Sequence, residues 1–464
     1  MLDILKKAMG EAKADYVELR FHERESLSIS VSGKEVDQAV SSSSRGTGIR
    51  VLYRGAWGFG STNSMGYEDI LETLRRAEVS AKVASENRKE LVKGIAEGRA
   101  ATGLFTANVT GNLSNISTET KIGVVLDAAH RAEGDGIVTT RSLYREILDH
   151  KIIVSSIGAE AEIYDSKPEF MVSAIAKEEG VMVSGRESVG VTGGWGELFK
   201  VHSPEDMADS AREKAIRLSK AKVITGGKST VILDQGLVGL ISHEAIGHTT
   251  EADFVLSGSA AAGMVGKEVA SPLVTLVDSG VSAIAGTAAG SIPVDDEGTL
   301  TQEAVIIENG VMKGYMHNRE TAHIFGVEPT GNARAYEYTD EPIIRMRNTF
   351  ILPGDMTLEE MLEGVKEGYL LKGAGSGQAD ANAEFMFDVQ EAYKITNGEV
   401  GELFRGASIS GNAFEVLKAV DAVGRDFAYD MGAGYCGKGQ PAKVDGGGGP
   451  IRTIVTIGGA HQWD

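Results

Sequence analysis

Tyr16-Val17-Glu18-Leu19-Arg20-Phe21 and Ser26-Leu27-Ser28-Ile29-Ser30-Val31 alternate apolar and polar residues with a period of two. Successive side chains of a strand point to opposite faces, so both stretches predict antiparallel strands with one buried and one wet face. Gly46-Thr47-Gly48-Ile49-Arg50-Val51 and Gly55-Ala56-Trp57-Gly58-Phe59-Gly60 predict two more strands around a hairpin turn. Upstream, Leu2, Leu5 and Met9 share one face of a short helix, and downstream a charged helical stretch covers residues 67–99. The same grammar returns further on. A helix over 121–133 precedes strands near 142–148, 151–156, 160–163 and 169–176, and a helix over 204–218 follows. Helices and strands without regular βαβ alternation predict an α+β fold.

Ala221-Lys222-Val223-Ile224-Thr225-Gly226-Gly227 marks a boundary, beyond which the chain is richer in Gly and in short β segments (230–233, 273–277, 303–308, 451–457). Asn309-Gly310 and Asn397-Gly398 sit between apolar runs and predict tight hairpins. Thr357 with Glu360 forms a capping box that opens a helix over 357–371. The expected organisation is an α+β section over 1–100, a second over 101–222, both with antiparallel sheets, and a β-rich C-terminal domain over 223–464 that carries a metal-binding helix.

At 464 residues the chain is too long for a single core. Its 46 basic and 66 acidic residues give a net charge of −20, which argues against nucleic-acid binding, since phosphate recognition needs a basic footprint. Asp3, Lys6, Lys7 and Glu11 interrupt the start, so no signal-peptide core is present there. No run approaches the roughly 18 apolar residues of a membrane helix. A cytoplasmic protein with no membrane partner is expected. The single cysteine, Cys436, excludes an intramolecular disulfide.

The chemistry concentrates in His243-Glu244-Ala245-Ile246-Gly247-His248, an H-E-x-x-x-H pattern. Two imidazoles can bind a metal while the carboxylate between them activates the bound water. A polar helix end with two solvated histidines is the simpler alternative. On a regular helix residues i and i+5 lie about 140° apart, against about 40° for i and i+4. Both histidines can face one ion only through a π-bulge or unwound turn, and Gly247 is where backbone freedom makes that cheapest. A catalytic zinc wants a third protein ligand. The candidates are Glu251, Asp253, another histidine, or Cys436. The last lies in Gly432-Ala433-Gly434-Tyr435-Cys436-Gly437-Lys438-Gly439-Gln440, where Lys438 and clustered amides favour a thiolate. Gly432-x4-Gly437-Lys438 imitates a phosphate-binding loop but lacks the hydroxyl after the lysine. Gly373-Ala374-Gly375-Ser376-Gly377 reads as a mobile loop.

With these motifs the sequence resembles the TldD/PmbA metallopeptidases, on the side of the metal-bearing TldD type. The resemblance rests on Gly46–Val51, Trp57-Gly58-Phe59 with Ser61-Thr62-Asn63, His243–His248 and Asp295-Asp296-Glu297-Gly298-Thr299. Arg345-Met346-Arg347-Asn348-Thr349, Ser408-Ile409-Ser410-Gly411-Asn412 and Cys436-Gly437-Lys438 complete it. It implies a zinc-dependent peptidase acting on short or unfolded peptides, with His243, His248 and Cys436 as ligands of one Zn2+ per subunit and Glu244 as the catalytic carboxylate. It also implies a dimer around a hollow lumen, either of identical chains or with a PmbA/TldE-type subunit that lacks the metal motif. The family loop usually carries one more residue between the lysine and the glycine-glutamine; here Gly439-Gln440 follow Lys438 directly. An association of the family with DNA gyrase offers a second class of function, a regulatory or interaction subunit without peptidase activity.

Overall fold

A computed structural model describes residues 1–107, 111–281, 284 and 287–459. The first seven strands make one sheet. Its order is Ala56–Thr62, Glu35–Tyr53, Tyr16–Ser32, Ile137–Ser155, Glu160–Glu178, Thr102–Thr106, with Val181–Gly190 also paired to Glu160–Glu178. Strands from either side of residue 100 therefore hydrogen-bond into the same layer. The segments predicted at 142–148 and 151–156 are one strand, Ile137–Ser155, because Asp149 and His150 between them continue the alternation.

The odd-numbered face of Tyr16–Ser32 serves two cores. Val17, Leu19 and Phe21 pack with Ile70, Leu74 and Ala77 of the helix Tyr67–Asn87. Ile29 and Val31 pack with Val125 of the helix Thr118–Arg131 and Ala211 of the helix Pro204–Lys220. The helix expected over 67–99 stops at Asn87. Beyond it the chain is extended and straps onto Gly55 and Arg319 through backbone hydrogen bonds. At Gly94 a Cβ would press on the His323 ring, so this strap requires close approach.

The even-numbered face differs from the expectation of a wet surface. Glu18, Arg20, His22 and Arg24 are buried against the C-terminal part of the chain. Arg50 bridges Glu18 and Glu297, Arg20 donates to the Glu337 and Asp340 carbonyls, and Lys151 pairs with Asp296 at 2.8 Å. The Asp295-Asp296-Glu297 turn is thus seated on this face. Polar alternation reads the same in sequence whether the polar side meets water or a matched set of charges.

The C-terminal part holds two larger sheets. One runs Val311–Met312, Glu303–Glu308, Leu276–Ser279, Asn348–Ile351, Asp445–Gly448, Ala428–Tyr429. In the other, Glu367–Ala379, Gly227–Leu233, Ile451–Gly458, Ala407–Asn412 and Glu384–Thr396 follow one another. Glu384–Thr396 pairs back onto Glu367–Ala379, so hydrogen bonding closes on itself. Both predicted hairpins form: Asn309 and Gly310 have φ of 48° and 82°, Asn397 and Gly398 of 49° and 82°, the left-handed pair that a two-residue turn needs.

Two expectations fail here for one reason. The capping box at Thr357 forms, but its helix is only Leu358–Glu363. By Glu367 the chain is a strand, and at Gly368 a Cβ would crowd the Thr230 carbonyl of the neighbouring strand. Gly373–Gly377 lies in that same strand, where the register shifts between Ala374 and Gly377 and Gly375 and Gly377 press on Asp388 and Phe387. These glycines serve close backbone approach and a bulge, where a mobile loop was expected. Among the described residues no helix is long and apolar enough to cross a membrane.

Candidate metal centre

The helix Gln235–Leu240 is opened by Asp234, whose carboxylate accepts from Leu237 N and Gly373 N. Leu237, Val238, Ile241, Ala245 and Ile246 are fully buried and touch strands of both C-terminal sheets. The helix then widens. Residues Ile241–Gly247 form a π-helix, and His248 N donates to the carbonyl of His243, five residues back. This is the non-α turn that the i, i+5 spacing demands, and it brings the rings of His243 and His248 to 5.4 Å between centroids. The hydroxyls of Thr249 and Thr250 accompany the wider turn by donating to the carbonyls of Ile246 and Gly247.

Gly247 acts differently from its sequence reading. Its φ of −54° is ordinary helix. A Cβ there would run into Met346 Sδ, so the glycine provides closeness to the segment between the strands Ile343–Ile344 and Asn348–Ile351, and no special dihedral.

Cys436 reaches the histidines from a two-stranded ribbon, Tyr435–Gly437 with Pro441–Lys443. Lys438-Gly439-Gln440 makes the turn, with Gly439 at φ 77°. The shortened loop therefore closes as a three-residue hairpin with a left-handed glycine. Buried Arg345 donates to the carbonyls of Cys436 and Gln440, and the Gln440 side chain bonds Tyr336 N and the Glu341 carbonyl. The sulfur lies 3.2 Å from His248 Nε2.

One donor atom each from His243, His248 and Cys436 lies within 4.8 Å of the others. Ligand bonds of about 2.0–2.3 Å at a tetrahedral ion imply donor separations of about 3.5 Å, so the set suits zinc. His243 supplies a second test: both of its ring nitrogens are buried without a hydrogen-bond partner, a costly arrangement of which a metal bond would relieve one nitrogen. Burial disfavours a thiolate at Cys436, yet the imidazoles of His243 and His248 outweigh it and bring the thiol down to about 4. Burial likewise opposes charge on His248, but the Cys436 sulfur and the Glu251 carboxylate raise it to about 10. Lys438 is not the cause of the thiolate: its ammonium is held by Asp253 at 2.6 Å and Glu251 at 3.1 Å.

Glu244, half-buried, points its carboxylate to 3.8 Å from His248 Nε2, on the side where the three donors meet. Glu251 and Asp253, considered above as ligands, stand outside the donor cluster. Glu251 is fully buried behind His248, with Oε2 3.2 Å from Nδ1.

Three sequence profiles of one family match this chain: PmbA/TldA metallopeptidase domain 1 over residues 17–81, the central domain over 111–219 and the C-terminal domain over 226–451. A metalloprotease of Methanocaldococcus jannaschii is 37% identical over 96% of this chain and 97% of its own length. The chain belongs to the PmbA/TldD metallopeptidase family. The zinc metalloprotease TldD homolog of Saccharolobus solfataricus is 30% identical over 99% of this chain and 100% of its own. In fold, the chain resembles TldE from Thermococcus kodakarensis (TM-score 0.75, 19% identity, 98% and 99% of the two chains). It also resembles a Thermotoga maritima protein described as a candidate modulator of a DNA gyrase (0.80, 23%, 98% and 99%).

Within this metallopeptidase, sequence reasoning missed the supports of the centre. Glu251 behind His248 carries an available signal, since a ligating imidazole commonly gives its other N–H to a carboxylate and His248 and Glu251 are three residues apart. Met346 against Gly247 and Arg345 on the Cys436 carbonyl carry none, because each joins segments about a hundred residues apart.

Proposed function

We propose that this chain is a zinc peptidase in which His243, His248 and Cys436 hold one Zn2+ per subunit and Glu244 is the catalytic acid–base. The observation that carries the reading is a buried His243 with two unpartnered ring nitrogens beside a cysteine drawn toward its thiolate. Zinc at such a set supplies Lewis acidity, polarising a peptide carbonyl and making water easier to deprotonate. The chain's own groups do the rest. His248 is oriented by Glu251 so that Nε2 faces the centre. The Glu244 carboxylate takes a proton from the attacking water and delivers it to the departing amine nitrogen. Cys436 donates more charge than a carboxylate ligand would, which tempers the Lewis acidity and makes Glu244 the more necessary.

The substrates we assign are short or unfolded peptides, cut in the cytoplasm by a homodimer or by a heterodimer with a TldE-type subunit. Support for peptide hydrolysis comes from the metallopeptidase family and from the metalloproteases among its relatives. The test is Glu244→Gln, assayed on a pool of unstructured peptides with zinc content measured alongside. The expected result is stoichiometric zinc, unchanged thermal stability and a rate reduced at least about a hundredfold. Undiminished cleavage removes Glu244 from the chemistry. Absence of cleavage by the zinc-loaded wild-type chain, alone and with a TldE-type partner, favours a non-catalytic interaction subunit.

A further inference from the structure

A buried charge is tolerable only when paired. Between the polar face of the N-terminal sheet and the C-terminal part lies a cavity of about 50 Å³, walled by cations in a chain of net charge −20. Most of these cations are answered. Arg24 is bidentate to Asp149 at 2.7 Å, Lys151 meets Asp296 at 2.8 Å, Lys167 meets Asp165 at 3.3 Å, and Lys443 is paired with Glu169.

Arg334 and Arg345 are left over. They are 9% and 1% exposed, both line the cavity, and among the described residues neither has a carboxylate within 4.0 Å. Their observed acceptors are neutral: the Met346 carbonyl for Arg334, and the Cys436 and Gln440 carbonyls for Arg345. Arg345 Nε and Arg24 Nη1 are buried with no acceptor at all. The carboxylates whose charge still reaches Arg334, Asp296, Asp165 and Asp278, are held by Lys151, Lys167 and Arg347. Burial, and after it the charge of Arg345 at the same cavity wall, disfavours charge on Arg334 and lowers it to about 10.

We infer that this cavity is a binding site for one small oxyanion, a carboxylate or phosphate group, held by Arg334 and Arg345. A water needs about 10–15 Å³ on this measure, so the cavity takes about four waters or a single such head group, and nothing as large as a nucleotide. Planar guanidiniums with free N–H groups match oxyanion geometry better than ammonium groups do. The anion has two possible sources: a free ion such as inorganic phosphate, or the C-terminal carboxylate of a bound peptide.

The experiment is thermal unfolding of the full chain in millimolar sodium phosphate against sodium chloride of equal ionic strength. A ligand of the folded state alone raises the unfolding temperature, and above its Kd the rise grows with the logarithm of its concentration. That rise is expected with phosphate, and Arg334→Gln is expected to weaken phosphate binding about tenfold or more. In chloride alone this variant should melt no lower than wild type, because a buried unpaired charge has been removed. If Arg334→Gln does not fold, Arg334→Lys keeps the charge without the fork and should still lose most of the phosphate shift. A matched peptide pair separates the sources. Stabilisation by the free acid and not by its C-terminal amide assigns the site to a peptide terminus; equal behaviour of the two assigns it to the free ion. No phosphate shift beyond chloride, or a shift that survives in both Arg334 variants, overturns the site.

Discussion

Glu251 Oε2 lies 3.2 Å from His248 Nδ1, and the same carboxylate is 3.1 Å from Lys438 Nζ, on the loop that carries Cys436. One buried acid therefore orients a histidine of the candidate centre and ties the sulfur-bearing loop to the turn after the π-helix. Lys438 also reaches Asp253 and lies over the Phe254 ring at 4.1 Å, so the clamp has several contacts.

From this relationship Glu251→Gln should still take up one equivalent of zinc when the metal is in excess. Its affinity should fall by about 10–100-fold, the usual effect of losing an outer-shell partner. Competition against a chelator of known affinity measures this. An affinity within twofold of wild type shows that Glu251 does not support the metal.

Cys436→Ser should do more. A serine oxygen is neither soft nor ionised, and the loss should exceed the roughly 100-fold at the top of the Glu251 range. Peptide cleavage should fall with zinc content. The ribbon should persist, since Arg345 holds it through backbone carbonyls. A serine variant with stoichiometric zinc and full turnover makes Cys436 merely a buried thiol.

The contrast between these two positions shows what sequence made legible. His243, His248 and the need for a non-α turn followed from spacing alone, because helical geometry is local. A third ligand did not: Glu251, Asp253, another histidine and Cys436 were all open, the glycine-rich setting beside Lys438 set Cys436 apart, and only the resemblance placed a ligand there. Along the strands, the apolar side of Tyr16–Ser32 was readable, but the burial of Glu18, Arg20 and His22 was not, since their partners come from distant segments. Glycine misled most. Gly247, Gly368 and Gly375 are there for the proximity of Met346, Thr230 and Asp388, and the sequence records the missing side chain without the neighbour that excludes it.

Gly247→Ala tests that point. The added methyl meets Met346 Sδ, whose thioether is flexible but fully buried. Overpacking of this kind costs about 1–3 kcal/mol. Urea denaturation should show that loss, and the double variant with Met346→Ala should lose less than the sum of the two single losses, because each change fills or empties the same space. A Gly247→Ala protein as stable as wild type with unchanged zinc affinity shows that the turn does not depend on this contact.

The last prediction concerns acid. His22 is buried beside Asp149, with Nε2 2.8 Å from Oδ1, and burial lowers its pKa from 6.5 to about 4 despite the carboxylate. Between these values the unfolded chain binds a proton that the folded chain refuses. Stability therefore rises with pH through this window, and the contribution of His22, on the order of 3 kcal/mol, is lost as pH falls from about 6.5 to 4. Asp149 titrates later, because Arg24 and His22 hold it well below the usual carboxylate range. His22→Gln can keep a hydrogen bond to Asp149 without a titrating ring. Its unfolding free energy should be lower than that of wild type at pH 7 but flatter between pH 6.5 and 4, so that the two curves converge on acidification. Parallel curves across that range place the acid sensitivity elsewhere, with His317, also lowered to about 4 by burial, as the next residue to replace.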